Sequence, residues 1–318
     1  MSTSVAEKLA TQSILVVGGA GFIGTNLVNE LRRIGTRVHI FDNLSVGTTF
    51  VDPDQVTVGN IEDFDAIKSC MEEHETTMLV NLAAQTGVSV SVEDPMADFS
   101  ANALGTLNVL EAARQIQVGS VLMVSSNAAV GGSEQPTSEK SFPSPVSPYG
   151  AHKLYTETIT QVYRRCYSMK CTTVRLANVY GPYSTHKSSV VSSWFRRIVE
   201  HEPLVLYGGG DSTRDFIHVE DVVRILCHIL ASDHNDALYC VGTGVETRVA
   251  SLVDLIRLAS GRDFEVVHRP LRPGEIRRNF SDISKLLKIL PADFHFRPLN
   301  TGLSTTWDWF GENYSGRQ

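Results

Sequence analysis

In the run SPYGAHK, residues 147–153, a phenol and an ammonium group stand four positions apart as Tyr149 and Lys153. Ser147 suits the cap of a helix and Pro148 its first turn, where a missing backbone N–H costs nothing. At i and i+4 the two side chains then share one helix face. A phenol ordinarily titrates near 10 and is a poor base at neutral pH, whereas a neighbouring cation favours its phenolate. Such a pair can take a proton from an alcohol while hydride leaves the carbon beneath. The same spacing also occurs on ordinary exposed helices, so chemistry follows only if an electron acceptor lies nearby.

The stretch ILVVGGAGFIGTNLV, residues 14–28, supplies a place for one. Gly18, Gly21 and Gly24 follow a β-branched run and open a helical pattern, and the missing side chains let backbone approach a pyrophosphate at a helix N-terminus. Asp42 closes the next apolar run, 18 residues past the last glycine, where a carboxylate accepts bonds from ribose hydroxyls and repels a 2′-phosphate. NAD is therefore expected in preference to NADP. A tight strand-to-helix turn with no ligand would also use these glycines.

The elements that must hold these groups are legible as alternating runs. SILVVGG, TRVHIFD, QVTVGN, TMLVNLA, SVLMVSS and TTVRLANVYG read as buried strands with helical segments between most of them, an α/β doubly wound parallel sheet. Beyond about residue 180 the rhythm changes to polar loops, a helix at VVSSWFRRIVEHE, a strand at LVLYGGG and the segment HRPLRPGEIRR, a second, smaller α/β lobe. ALYCVGTG, at 237–244, reads as a strand returning to the first sheet. The expected division is 1–177 for the dinucleotide and 178–318 mainly for substrate.

Composition bounds the remaining choices. With 318 residues, 42% of them hydrophobic, a large core is available, and a net charge of −7 offers no general attraction for nucleic acid or a membrane surface. Five cysteines with no CxxC pair suit reduced thiols in a cytoplasmic protein, mostly as core packing, and no metal-ligand spacing occurs. No run approaches a membrane span, and MSTSVAEKLATQS lacks the apolar stretch of a signal peptide.

G-x-x-G-x-x-G together with YGAHK resembles the extended short-chain dehydrogenase/reductases, the NAD-dependent sugar epimerase/dehydratase family. The likeness continues through NLAAQ (81–85), NALGTLNVLEAA (102–113), VSSNAAVGG (124–132), RLANVYGP (175–182), STRDFIHVEDV (212–222) and RPGEIRRNFSD (272–282). It implies a Rossmann sheet and NAD held by Gly18, Gly21, Phe22, Ile23, Gly24, Asp42, Asn43, Asn60, Ile61, Leu82, Ala83, Ala84, Gln85, Asn102, Ser125, Tyr149 and Lys153. Asn60 replaces the usual aspartate near the adenine. The resemblance further implies a nucleoside-diphosphate sugar, with Arg214 and Arg272 on its diphosphate, Tyr207 near its base, and Ser89, Asn127, Asn178 and Val190 also in contact. It implies, finally, a homodimer through the helices near 97–117 and 149–166.

Two departures stand out. Asn127 occupies the place of the usual catalytic serine or threonine, with Ser126 beside it as a substitute and Ser125 a weaker one; Gly131 occupies the place of a tyrosine. An amide orients a sugar oxygen but does not relay a proton as a hydroxyl does. Ala128 and Ala129 stand where dehydratases carry an acid pair and decarboxylases a glutamate. This pattern resembles the 4-epimerases, with Tyr149 as acid/base, Lys153 as its partner and Asn127 or Ser126 orienting the sugar. Ser89 and Val90, where uronate-specific relatives often have arginine, favour a neutral UDP-hexose, against which Lys187 and His186 offer two cations. Another nucleotide-sugar oxidoreductase, a C2 or C5 epimerase, a dehydratase and a binding protein without turnover remain as alternatives.

Overall fold

The computed structural model describes residues 3–46, 50–232, 237–271 and 276–314. Seven strands form one sheet: β1 (Ser13–Val17), β2 (Arg37–Asp42), β3 (Val56–Val58), β4 (Met78–Asn81), β5 (Ser120–Ser126), β6 (Cys171–Leu176) and β7 (Leu238–Val241). Their order is β7-β6-β5-β4-β1-β2-β3, and every pairing is parallel. The order reverses between β1 and β4, which opens a crevice beyond their C-terminal ends.

Strand alternation explains the two layers. Ile14 and Val16 of β1 enter one buried cluster and Leu15 and Val17 the other, because successive side chains point to opposite faces. The first cluster is covered by α1 (Thr3–Ala10), α2 (Phe22–Arg33) and α6 (Val219–Ala231), through residues such as Leu9, Leu27 and Leu226. The second is covered by α3 (Phe64–Glu73), α4 (Gly105–Gln115) and α5 (Pro148–Tyr167), through Ile67, Leu110 and Tyr163. A third cluster, centred on Trp194, Phe195, Leu206, Leu303 and Phe310, belongs to the later part of the chain. It unites the helices Val190–Val199, Ser251–Ser260 and Leu299–Asn313 with the paired strands Leu204–Tyr207 and Val266–Arg269.

The strand runs read from the sequence appear at their expected places, including the return of β7 to the sheet. Two features differ. The run TTVRLANVYG divides: the Ala177 N–H donates to Val241 O at 2.9 Å, and Asn178–Tyr180 then leaves to pair with Phe216–His218. Helix α1 is not apparent in the sequence because its polar residues show little apolar period, yet Val5 and Leu9 are buried and Lys8 Nζ donates to Ala231 O at the end of α6.

The glycine-rich turn is built by close approach. Gly18 has φ +79°, and a Cβ there would lie 2.5 Å from Ala83 N; a Cβ on Gly24 would lie 2.2 Å from Gly18 O and 2.7 Å from Gly19 Cα. Both obstacles are backbone, so nothing flexible can yield. Gly24→Ala is expected to lower stability by about 1–3 kcal/mol and to weaken NAD binding with it, as read by thermal melts with and without NAD; unchanged melts would contradict this packing.

Candidate active site

The C-terminal ends of β1, β4, β5 and β6 meet the strand Asn178–Tyr180 and residues of the later lobe around a cavity of about 500 Å³. Its walls include Gly18, Gly21, Phe22, Ile23 and Gly24 from the glycine-rich turn, and Leu82 and Ala84 beyond β4. Facing them are Ser125, Ser126 and Asn127 at the end of β5, Tyr149 and Lys153 on α5, and Ser89, Asn178 and Arg214. Residues named separately for a dinucleotide and for a sugar nucleotide thus share one space. The turn fits a pyrophosphate: a Cβ on Gly21 would meet only Gly18 O, at 3.4 Å, so the open side of this residue is available to an approaching group.

Helix α5 begins as its sequence dictates. Ser147 Oγ accepts from Gly150 N at 3.1 Å and Pro148 fills the first turn. Gly150 allows that turn to press on the end of β5, since a Cβ there would lie 2.4 Å from Ala128 O. Tyr149 is 8% exposed and Lys153 6%. Lys153 Nζ donates to Val124 O at 3.0 Å and lies 5.8 Å from the centre of the Tyr149 ring.

Burial dominates both groups. It pushes the Tyr149 phenol up to about 12, against the Ser126 hydroxyl, which lowers it by hydrogen bonding, and with Asp98, whose charge raises it further. It pulls the Lys153 ammonium down to about 8, against Asp98 and with the like charge of Lys187. The expectation that Lys153 brings the phenol down is therefore not met by the protein's own groups: burial and Asp98 raise it, and the group that lowers it is Ser126.

Asp98 links the pair to the loop after β4. It is fully buried; its Oδ1 accepts from Gln85 Nε2 at 2.7 Å and from Asn102 Nδ2 at 2.9 Å, and its Oδ2 lies 2.5 Å from His152 Nδ1. Asn102 also donates to Gln85 O, from the π-helical turn Ser100–Leu104 that precedes α4. Gln85 and Asn102 thus form a second layer behind the cavity, and Ala83 lies against Gly18.

Other expected cofactor contacts hold backbone or one another. Asp42 Oδ2 accepts from Ala20 N at 3.0 Å and its Oδ1 from Leu44 N at 2.9 Å, so this carboxylate braces the glycine-rich turn. Asn43 Nδ2 donates to Asn60 Oδ1 at 2.7 Å. Ile61 packs on Gly105, where a Cβ would lie 2.1 Å from its Cγ1. None of these four lines the cavity, nor do Tyr207 and Val190. Arg272 lies outside the described residues.

The departures in VSSNAAVGG have structural reasons. Asn127 is 3% exposed, and its Nδ2 donates to Asn279 Oδ1 at 2.9 Å and Ser281 Oγ at 3.0 Å, across to the later lobe. Gly131 has φ +80°, and a Cβ there would lie 2.2 Å from Ser144 O, so no aromatic side chain fits. Ser125 turns away, donating to Glu157 Oε1 at 2.7 Å; Glu157 is in turn paired with buried Arg175. Asp215 also turns inward, accepting from Thr243, Gly244 and Ser281.

Several cavity residues carry no local sequence signal, among them Thr86, Ser189 and Asn279. Lys187 and His186 also line it; Lys187 Nζ donates to Thr86 Oγ1 at 2.5 Å. Partial desolvation at the cavity pulls Lys187 down to about 8 and the more exposed His186, which also feels the charges of Lys187 and Arg196, to about 4. No cluster of three or more metal-ligating side chains occurs among the described residues, and no helix there is long and apolar enough to cross a membrane.

A parallel sheet with this order, a glycine-rich turn and a Tyr/Lys pair facing it defines a dinucleotide-dependent α/β enzyme fold. The model of the NAD dependent epimerase/dehydratase family matches residues 14–242, and the chain belongs to that family. UDP-glucose 4-epimerase of Mycolicibacterium smegmatis is 33% identical over 289 residues, covering 87% of this chain and 91% of the relative. The UDP-glucose 4-epimerase of Thermus thermophilus, solved with NAD, superposes with a TM-score of 0.87 at 32% identity, covering 94% of this chain and 99% of that one. MoeE5, solved with UDP-glucuronic acid and NAD, gives 0.85 at 30% identity with the same two coverages.

Proposed function

We propose that this protein is an NAD-dependent nucleoside-diphosphate-sugar 4-epimerase acting on a UDP-sugar. The observation that carries the reading is the cavity wall: among the described residues it presents one phenol, Tyr149, opposite the glycine-rich turn, and no aspartate or glutamate. Elimination and decarboxylation need extra acids; moving one proton and one hydride at a single carbon does not. When bound, NAD supplies the hydride acceptor and later donor. Tyr149 takes the proton of the sugar hydroxyl and returns it, Lys153 holds positive charge beside it, and Arg214 and Asn178 bind the sugar nucleotide. Residues 1–177 form the dinucleotide-binding domain and 178–318 mainly the sugar-nucleotide lobe.

The protein is to be incubated with UDP-sugars without added cofactor and the products read by proton NMR. Inversion at C4 with no net oxidation supports the reading. Net redox, inversion at C2 or C5, or loss of water overturns it.

One observation favours an acidic sugar over a neutral hexose. Lys187 is half-buried at the catalytic end of the cavity, close enough for its charge to act on Lys153, and no carboxylate pairs with it among the described residues. A half-buried ammonium with no counter-charge is partly desolvated, and a ligand that brings an anion offsets that cost. MoeE5 has been solved with UDP-glucose as well as UDP-glucuronic acid. Lys187→Met is expected to raise KM for a UDP-uronate by about 10- to 100-fold, the range of a charge-assisted hydrogen bond, and to change KM for UDP-glucose by less than about threefold. Equal effects on both sugars would leave Lys187 without a role in reading the sugar.

Val92, Met96 and Phe99 are exposed apolar residues on helices packed against α5, and Val162 is exposed further along α5; they suit a homodimer, which sedimentation reads directly. A cytoplasmic location suits the free thiols of all five cysteines.

A further inference from the structure

At the end of β5 two adjacent side chains have exchanged the duties expected of one. We infer that the Ser126 hydroxyl is the group that serves Tyr149, while Asn127 is a latch that fixes the sugar-nucleotide lobe to the catalytic strand; the first half rests on the epimerase reading, the second does not.

The geometry separates the three candidates on VSSN. Ser125 spends its proton on Glu157. Asn127 spends both amide hydrogens on Asn279 and Ser281, 152 and 154 residues away, and its Oδ1 is buried without a partner among the described residues. Ser126 remains. Its Oγ accepts from Ala128 N at 3.2 Å, which occupies a lone pair and leaves the O–H proton to donate. Ser126 and Tyr149 line the same cavity, and a proton donated from Ser126 Oγ to the phenol oxygen would stabilise the phenolate, in accord with the direction in which Ser126 moves Tyr149.

An amide suits the latch and a hydroxyl does not. Asn127 offers two N–H donors to two acceptors on the opposite lobe, whereas serine offers one. Ser281 is 2% exposed and lies outside the cavity wall, and its own N–H donates to Asp215 Oδ2 at 3.2 Å. The contact therefore runs from the cavity wall, where Asn127 and Asn279 stand, through Ser281 to the residue next to Arg214. Asn127 is a positioning residue that sets the distance between Arg214 and Tyr149.

Ser126→Ala, Asn127→Ala, Ser281→Ala and the Asn127/Ser281 double variant test both halves. Ser126→Ala is expected to lower kcat by about 10- to 100-fold with little change in KM, and to move the ultraviolet titration of Tyr149, taken as the difference from a Tyr149→Phe background, to higher pH. Asn127→Ala and Ser281→Ala are each expected to weaken UDP binding by about 3- to 10-fold, leave NAD binding in place, and combine less than additively. If Asn127→Ala does not fold, Asn127→Ser keeps one donor and is expected to show the smaller part of the same UDP effect. A collapse of kcat in Asn127→Ala with UDP affinity intact, or a normal kcat and phenol titration in Ser126→Ala, overturns the assignment. A protein with no epimerase turnover at all would remove the epimerase reading, while the UDP-binding cycle and the phenol titration would still decide between latch and chemistry.

Discussion

Tyr149→Phe is expected to reduce kcat by at least about a hundredfold, the lower end of what a positioned acid/base contributes, while NAD and UDP still bind. The substitution removes one oxygen from a side chain that is 8% exposed and leaves its ring packed at the start of α5. The helix start does not depend on that oxygen, since Ser147 continues to cap it through Gly150 N. Because burial holds the phenol near 12, the neutral form prevails at physiological pH and turnover of the unaltered protein is expected to rise with pH. Stability runs the other way. A phenol whose folded value lies above 10 contributes stability that is present below 10 and lost as pH rises towards 12. Full turnover in Tyr149→Phe would remove this residue from the mechanism.

Lys153→Met is expected to lose at least about a hundredfold in kcat and to make the protein more stable at neutral pH. The ammonium is 6% exposed and burial depresses it to about 8, so the folded state bears its desolvation cost at pH 7. For a group depressed in this way, stability is present above 10.5 and is lost as pH falls through 8. A methionine of similar length removes that cost and forfeits the bond to Val124 O, for a net gain of about 1–2 kcal/mol. The gain should shrink as pH is raised beyond 8, when the unaltered lysine sheds its charge on folding. Melting curves at pH 7 and pH 10 decide the matter; a variant less stable at both would mean that Lys153 is a structural cation.

These two residues are legible in the sequence because their meaning is local. The four-residue spacing of Tyr149 and Lys153 fixes a shared face whatever surrounds it, and Gly18 and Gly24 announce a turn that only glycine can make. Strands buried on both faces stand out as β-branched runs, so the sheet can be read from one end to the other. What escapes such a reading depends on partners far away in the chain. Nothing local says that Asn127 meets Ser281, that Lys187 reaches Thr86, or that Asp98 meets His152. The direction of the phenol's shift is hidden too, because it is set by how deeply α5 is buried and not by the lysine beside it.

Asp98 binds Gln85 and Asn102 with one oxygen and His152 with the other, and its charge reaches both Tyr149 and Lys153. The packing behind the cavity and the electrostatics of the Tyr149/Lys153 pair thereby depend on one carboxylate. A lineage that reshapes the loop after β4 around Gln85 will shift the charge felt by Tyr149 and Lys153 in the same stroke, with neither of those side chains replaced.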